Sequence, residues 1–160
     1  MELKEVIIEK LNGTLKGAVL DVTDFRGDLC LIISPEKFLD ACKLLKEDAD
    51  LEFIMCEDVT AIDWAKRRNR FTMVYHIYSL KNKFRLRLKV NLEGETAASV
   101  SFLWPSANWY ERETFDMFGI KFTDHPDLRR VYMPEDFEYH PLRKEFPLLG
   151  IPGSIPLPKK

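Results

Sequence analysis

Apolar positions recur with two different periods along the first hundred residues. Four of them at helical spacing predict a short amphipathic helix over residues 1–11, which Asn12-Gly13 can end: Leu3, Val6, Ile7 and Leu11. Strands are predicted over 15–22 and 29–33. Ser34-Pro35-Glu36 predicts the start of a second helix that runs to about residue 46, because a hydroxyl, a proline and an acid all suit a helix N-terminus.

The clearest pattern is a hairpin of strands at 71–80 and 84–91, joined by Lys81-Asn82-Lys83. Its second strand alternates Phe84, Leu86, Leu88 and Val90 with Arg85, Arg87 and Lys89, so one face is buried and the other is wet and basic. Residues 53–63 are expected to be extended, and 97–102 to add another strand. The pattern predicts an α+β fold: a mixed, largely antiparallel sheet with helices packed on one face.

Composition changes after residue 120. Seven of the nine prolines lie beyond residue 125, and proline removes backbone donors and disfavours regular structure. We therefore predict an α+β domain at 1–120 and an extended proline-rich C-terminal arm at 121–160. The arm is also rich in aromatic and aliphatic residues, unlike a merely disordered tail. It must bury them against its own domain or against a partner, and we expect packing on partner subunits.

Overall composition narrows the class of protein. The chain has 160 residues, 46% of them hydrophobic and 31% charged, as in an ordinary globular domain. A net charge of -2 gives no case for nucleic-acid binding. No apolar run approaches the roughly 20 residues that span a bilayer, so we expect membrane association only through partners. Three cysteines without a CxxC pair predict reduced, buried thiols: Cys30, Cys42 and Cys56.

The most informative stretch is the predicted helix within 104–119. Ser106 or Asn108 can cap it and Gly119 can end it. On a helical wheel Glu111 falls among aromatic residues on the face expected to be buried, where an unpaired carboxylate is costly. We expect it to become protonated or to pair with a cation that pins the arm onto the helix: Arg129, Arg130, Arg143 or Lys144. Glu113 and Asp116 predict an acidic spot for a basic partner, although an ordinary solvated helix face has the same spacing.

Motifs for catalysis or metal binding are absent from the sequence. There is no HExxH, GxGxxG, Walker A or GxSxG motif, and the histidines lack the spacing of metal ligands. We therefore expect no catalytic, cofactor-binding or metal-binding residue in this chain. One enzymatic alternative stays open, a stand-alone carboxylate and histidine site around Glu113, Asp116, His125 and His140.

The residues following Trp109 resemble a known signature. Glu111-Arg112-Glu113, then Asp116-Met117-Phe118, His125, Arg129 and Val131, is similar to the signature of the complex I 30 kDa subunit, the C subunit of bacterial NADH–quinone oxidoreductase. Residues 107–110 and 140–148 are also similar to that family. Phe137 and Tyr139 depart from it, since many members have Trp and Gly there.

This resemblance implies a non-catalytic peripheral-arm subunit of a proton-translocating NADH–quinone oxidoreductase. Such a subunit braces the quinone-site and iron–sulfur subunits for electron transfer from NADH to quinone, on the cytoplasmic side of the cell membrane or the stromal or matrix side of an organelle. Iron–sulfur clusters, flavin and quinone are then expected in partner subunits, with no cofactor here. Equivalent scaffold subunits of F420- or ferredoxin-dependent dehydrogenases and membrane-bound hydrogenases leave the electron donor open.

The helix and the arm together provide the candidate site residues. We expect them to contact partner subunits or to pin the arm: Glu111, Arg112, Glu113, Asp116, His125, Arg129, Arg130, His140, Arg143 and Lys144.

Overall fold

A computed structural model describes residues 2–150, so predictions for Met1 and for 151–160 lie outside the described residues. The helices are α1 (Leu3–Thr14), α2 (Phe38–Glu47), which a 3₁₀ turn at Pro35–Lys37 precedes, and α3 (Ala107–Phe118). The strands are β1 (Val19–Phe25), β2 (Asp28–Ile33), β3 (Met55–Asp63), β4 (Phe71–Ser79), β5 (Phe84–Asn91), β6 (Thr96–Ala98) and β7 (Lys121–Thr123).

Five strands form one mixed sheet in the order β1-β2-β5-β4-β3. The pairs β1–β2, β5–β4 and β4–β3 are antiparallel, whereas β2 and β5 run parallel. Strands β6 and β7 make a separate parallel pair. The predicted α+β class with a largely antiparallel sheet is confirmed.

The period of two in β5 sets the position of the core. Leu88 lies opposite Tyr75 of β4 and Leu31 of β2, and all three side chains are buried. The buried residues of the helices belong to the same core, including Ile7 of α1 and Phe38 of α2. The helices therefore cover one face of the sheet, as predicted, and the basic row of β5 lies on the other face.

Several boundaries differ from the predictions. The first strand begins at Val19 rather than at residue 15, and Ser34 makes no side-chain cap bond to the 3₁₀ turn that follows it. The strand predicted over 97–102 is shorter and ends at Ala98. Directly after this strand, the Ser99 hydroxyl and the Val100 amide donate to the Glu111 carboxylate.

Helix α3 lies against β3, one of the two terminal strands of the sheet. The Thr114 hydroxyl donates to the Val59 carbonyl at 2.9 Å, and the Ser106 hydroxyl donates to the Cys56 carbonyl at 2.8 Å. Gly119 ends the helix with φ of 76°, a left-handed conformation that favours glycine. These contacts fix one side of α3 to the sheet and leave its other side for the residues that follow β7.

Candidate functional site

The residues after β7 lie across helix α3. Residues 124–150, here called the C-terminal segment, contain no helix or strand. The segment contacts its own domain through backbone and side-chain bonds, for example from the Leu142 amide to the Met117 carbonyl at 3.0 Å. Helix α3 is thereby enclosed between β3 and the C-terminal segment.

Asp116 is the central anchor of the C-terminal segment. Its carboxylate is fully buried and lies 2.6 Å from Arg130 Nη1. The backbone amides of Val131, Tyr132 and Met133 donate to Asp116 Oδ2 at 2.7–3.0 Å. Burial alone would raise the pKa of Asp116, but these donors and Arg130 favour the charged form and lower the pKa overall. One carboxylate thus holds four consecutive residues.

A second group of contacts forms at the C-terminal end of α3. Arg143 Nε donates to the Phe118 carbonyl at 2.6 Å, and its Nη2 lies 2.8 Å from Glu95 Oε2. His140 Nδ1 lies 2.9 Å from the Asp116 carbonyl oxygen. A cation near the last carbonyls of a helix is favourable because those oxygens lack intrahelical donors. Gly119 leaves room for both side chains, since an added Cβ would lie 2.5 Å from Arg143.

Asp63, at the end of β3, anchors the segment further along. Its buried carboxylate accepts two bonds from Arg70 at 2.7 and 2.9 Å, one from the Ala65 amide and one from the Lys144 amide at 2.9 Å. The bonds from Arg70 are the main reason that the pKa of Asp63 is lowered far below its usual range. Arg70 also contacts Glu145 of the segment.

Glu111 lies on the opposite, sheet-facing side of α3 and is fully buried. Its Oε1 accepts from the Val100 amide at 2.7 Å, and its Oε2 lies 2.6 Å from the Ser99 hydroxyl, which lies 2.8 Å from Ser101 Oγ. Burial raises the pKa of Glu111 to about 7, although both bonds favour the charged form. The predicted burial of Glu111 is confirmed. Its raised pKa favours the protonated form, which is one of the two outcomes expected for this side chain.

The predicted pairing of Glu111 with an arginine or lysine of the arm is wrong. Its titratable neighbour in the segment is His125, whose Nε2 lies 3.8 Å away. His125 Nδ1 accepts from the Asp127 amide at 3.1 Å, so Nε2 carries the proton and donates to the Asn108 carbonyl at 3.2 Å. The cation that pins the arm binds Asp116 instead, because the segment crosses α3 on that side.

The predicted acidic spot of Glu113 and Asp116 is also wrong, because the C-terminal segment covers Asp116. Glu113 is half-buried. Arg112 donates to the carbonyls of Arg129 and Arg130 at 3.1 and 3.3 Å. Its neighbour Arg129 pairs with Asp127 on the surface at 2.6 Å.

The structure therefore brings most of the candidate residues into one contact region around α3. Sequence reasoning missed four partners that come from distant elements: Asp63, Arg70, Glu95 and Ser99. No local spacing signals them, because each meets its partner only after the sheet has formed. The predicted reduced and buried state of Cys30, Cys42 and Cys56 is confirmed.

Groups of metal-binding side chains and membrane-spanning helices are both lacking in the part of the chain that the structure describes. Within residues 2–150 no group of three or more His, Cys, Asp or Glu side chains is arranged to hold a metal ion. None of the helices in that same range is long and apolar enough to cross a bilayer.

Comparison with known families shows to which protein family the chain belongs. Residues 31–151 match the model of the family described as respiratory-chain NADH dehydrogenase, 30 Kd subunit. The chain belongs to this family. The resemblance found around α3 and the C-terminal segment is thereby confirmed, and the match extends over most of the α+β domain.

Relatives from the 30 Kd subunit family match nearly the full chain. The C subunit of the NADH-quinone oxidoreductase of Roseiflexus sp. (strain RS-1) is 45% identical over 144 residues, which cover 89% of this chain and 83% of the relative. Its counterpart in Geobacter sulfurreducens is also 45% identical over 144 residues, covering 88% of each chain. These relatives are subunits of an oxidoreductase complex.

Solved structures share the fold of this chain. A trypsin-resistant fragment of Nqo5 superimposes with a TM-score of 0.66 at 29% identity, covering 80% of this chain and all of that one. A chain of the membrane-bound sulfane sulfur reductase, an archaeal respiratory membrane complex, superimposes with a TM-score of 0.76 and covers 92% of this chain and 88% of that one. Its identity of 24% supports the fold alone.

Proposed function

We propose that the chain is a non-catalytic subunit of a proton-translocating NADH–quinone oxidoreductase. In this proposal it braces the quinone-site and iron–sulfur subunits of the peripheral arm, and those partners carry the iron–sulfur clusters, flavin and quinone. It works on the cytoplasmic side of the membrane, or on the equivalent side in an organelle. The names of its relatives favour NADH over F420, ferredoxin or hydrogen as the electron source.

One observation carries the proposal: the C-terminal segment is anchored by polar groups but leaves apolar side chains exposed. Exposed apolar residues are spread along the segment, namely Tyr132, Tyr139, Leu142, Leu148 and Leu149. Exposed aromatic side chains such as Tyr132 and Tyr139 are enriched at protein–protein interfaces. The anchors to α3 fix where these side chains point, so they suit a surface that a neighbouring protein covers.

An aromatic cluster supports the same conclusion. The rings of Phe137, Tyr139 and Phe146 lie 5.7–6.4 Å apart between centroids, and Arg130 lies over Phe137. Two of these rings, Tyr139 and Phe146, line a cleft of about 370 Å³ together with His140 and Arg143. Rigid aromatic side chains beside an arginine are enriched where interfaces gain most of their affinity.

The geometry does not favour the stand-alone enzyme. Asp116 and His125 are enclosed, and each of their polar atoms already has a bonding partner within the chain. A general acid or base must be within reach of a substrate proton. In our proposal these groups position the C-terminal segment.

Affinity purification from solubilised native membranes tests the proposal. The tagged wild-type chain should co-purify with quinone-site and iron–sulfur subunits and with NADH–quinone reductase activity. Asp116→Asn, Glu111→Ala and Arg143→Ala should reduce both. Asp48→Asn is the matched control, because it removes an ion pair with Lys10 that lies away from α3. A wild-type chain that purifies alone, or anchor variants that assemble and turn over normally, would contradict the bracing role.

A further inference from the structure

The two terminal strands of the sheet differ in how they are covered. Helix α3 packs on β3 and donates hydroxyl bonds to its carbonyls. On the outer side of β1, by contrast, no strand is present within residues 2–150. Six of the seven β1 residues are exposed. A long exposed edge presents unpaired backbone donors and acceptors, and natural proteins usually shorten, cover or pair such an edge.

The β1–β2 hairpin indicates which β1 amides point outward. Arg26 and Gly27 both have positive φ and form a two-residue turn, so Phe25 and Asp28 are the first hydrogen-bonded pair. Hydrogen-bonded and non-hydrogen-bonded pairs alternate along an antiparallel ladder. The amides of Asp24 and Val22 therefore point away from β2, toward open space.

The side chains of β1 restrict what this edge can accept. Leu20 and Val22 are 60% and 42% exposed. On the opposite face the exposed Asp21 lies across from Ile32. Asp24 is half-exposed and is bound by Lys4 at 2.5 Å. An added strand would meet Val22 and the Lys4–Asp24 ion pair on the helix-covered face, and the carboxylate of Asp21 on the other.

From this edge we propose that β1 accepts an extended segment of a neighbouring subunit as a sixth strand, whose side chains alternate between apolar and basic. Main-chain bonds give affinity in such strand addition, and the alternating side chains give specificity. A basic residue opposite Asp21 would form a favourable cross-strand charge pair with it. A second copy of β1 fits less well, because it would bring two more carboxylates and no basic side chain to the edge.

The inference rests on the proposed function, because the neighbouring subunit belongs to the complex. The first test is hydrogen exchange of the full chain alone and within the complex purified from native membranes. Exchange over residues 19–25 should slow at least about tenfold in the complex, since each outward amide that gains a partner is protected. Amides of the central strand β5 should be slow in both samples and serve as the reference.

Paired variants then separate backbone from side-chain effects. Val22→Pro removes one outward amide but leaves the β1–β2 ladder intact, because proline is tolerated on edge strands. It should reduce co-purification of the partner subunits about tenfold, and clearly more than Val22→Ala, which shortens the same side chain but keeps the amide. Asp21→Lys should also reduce co-purification, since it places a cation opposite a basic residue.

Each outcome has a distinct meaning. If the wild-type chain assembles but β1 exchanges equally fast in both samples, the inference is wrong and the proposed function stands. If the wild-type chain never joins the complex, the proposed function itself fails. Protection that appears in the isolated chain only at high concentration indicates pairing of two copies, and overturns the inference. If Val22→Pro does not fold, hydrogen exchange of the wild-type protein still decides.

Discussion

Asp116 and Arg130 form an ion pair between α3 and the C-terminal segment, with 2.6 Å between Asp116 Oδ1 and Arg130 Nη1. The aspartate is fully buried and the arginine side chain is 12% exposed. Breaking such a pair on one side leaves an uncompensated charge in a poorly solvated place.

We expect Asp116→Asn to lower the free energy of unfolding by about 3 kcal/mol. The amide would leave Arg130 without its counter-charge and would place a donor among three backbone donors. Urea unfolding of the purified chain measures the loss, and Asp127→Asn is the matched control because its ion pair with Arg129 is exposed. Equal losses for the two variants would show that burial of the pair does not matter.

Glu111 predicts a specific pH dependence of stability. Its folded-state pKa of about 7 lies above the ordinary value of 4.5, because burial disfavours the charged form. The folded chain therefore binds more protons than the unfolded chain between pH 4.5 and 7, and stability falls as the pH rises through this window. The wild type should lose up to about 3 kcal/mol across it relative to Glu111→Gln, which cannot titrate.

Urea unfolding at about pH 4.5 and about pH 7.5, on either side of this window, checks the expectation. The difference between wild type and Glu111→Gln cancels the titration of all other groups. Glu113→Gln, a half-buried position on the same helix, is the control. A difference between wild type and Glu111→Gln that stays constant with pH would mean that the Glu111 carboxyl does not titrate in this range.

The bonds of Asp63 should hold the C-terminal segment near Lys144 against the domain. Asp63→Asn should weaken the bonds to Arg70 and to the Lys144 amide, and should release the segment locally. Tryptic cleavage after Arg143 and Lys144 should then be several-fold faster, because proteolysis requires local opening. Asp58→Asn, at a half-exposed aspartate of the same strand that does not contact the C-terminal segment, should leave the cleavage rate unchanged.

The pKa of Asp63 adds a check with acid. Because its folded-state pKa is lowered, its contribution to stability is present above the ordinary value of 3.8 and is lost as the pH falls further. Wild-type resistance at residues 143–144 should thus decline below about pH 4. An acid-stable protease active at that pH measures it, and resistance that persists in acid would contradict the proposed anchor.

Replacing Gly119 should lower the free energy of unfolding by an amount that depends on the side chains around it. Gly119→Ala places a Cβ at positive φ and 2.5 Å from Arg143, so the free energy of unfolding should fall by more than about 1 kcal/mol. Adding Arg143→Ala should cost less in this background than in the wild type, because the clash has already displaced the arginine. Gly13→Ala, in α1 with open space around it, should instead stabilise by about 0.5–1 kcal/mol.

Calorimetric or urea measurements of the two glycine variants and the double variant give the comparison. Strictly additive losses for Gly119→Ala and Arg143→Ala would show that the two residues do not compete for space.

The elements that could be predicted from sequence are those fixed by local patterning. The β4–β5 hairpin follows from alternation on both sides of Lys81-Asn82-Lys83, and the end of α3 follows from Gly119. The burial of Glu111 also follows from its position on the helix. The sequence could not predict which basic residue pairs with α3, because Arg130 and Arg143 carry the same charge. It also does not specify on which side of α3 the chain returns.

The contacts from Ser99 and Asp63 could not be predicted for a related reason. Ser99 lies 12 positions from Glu111, and Asp63 lies 81 positions from Lys144. Their approach depends on the register of whole strands, which no local spacing records.

The carboxylate of Asp116 binds residues 130–133 in succession, while β7 holds residues 121–123 in register with β6. Both ends of the connection between them are therefore fixed in space, so its length is as much a part of the architecture as any side chain. Inserting or deleting one residue between β7 and Arg130 would move residues 130–133 out of register with the Asp116 carboxylate. Homologous chains should accordingly vary in length elsewhere, such as in the exposed loop 66–69.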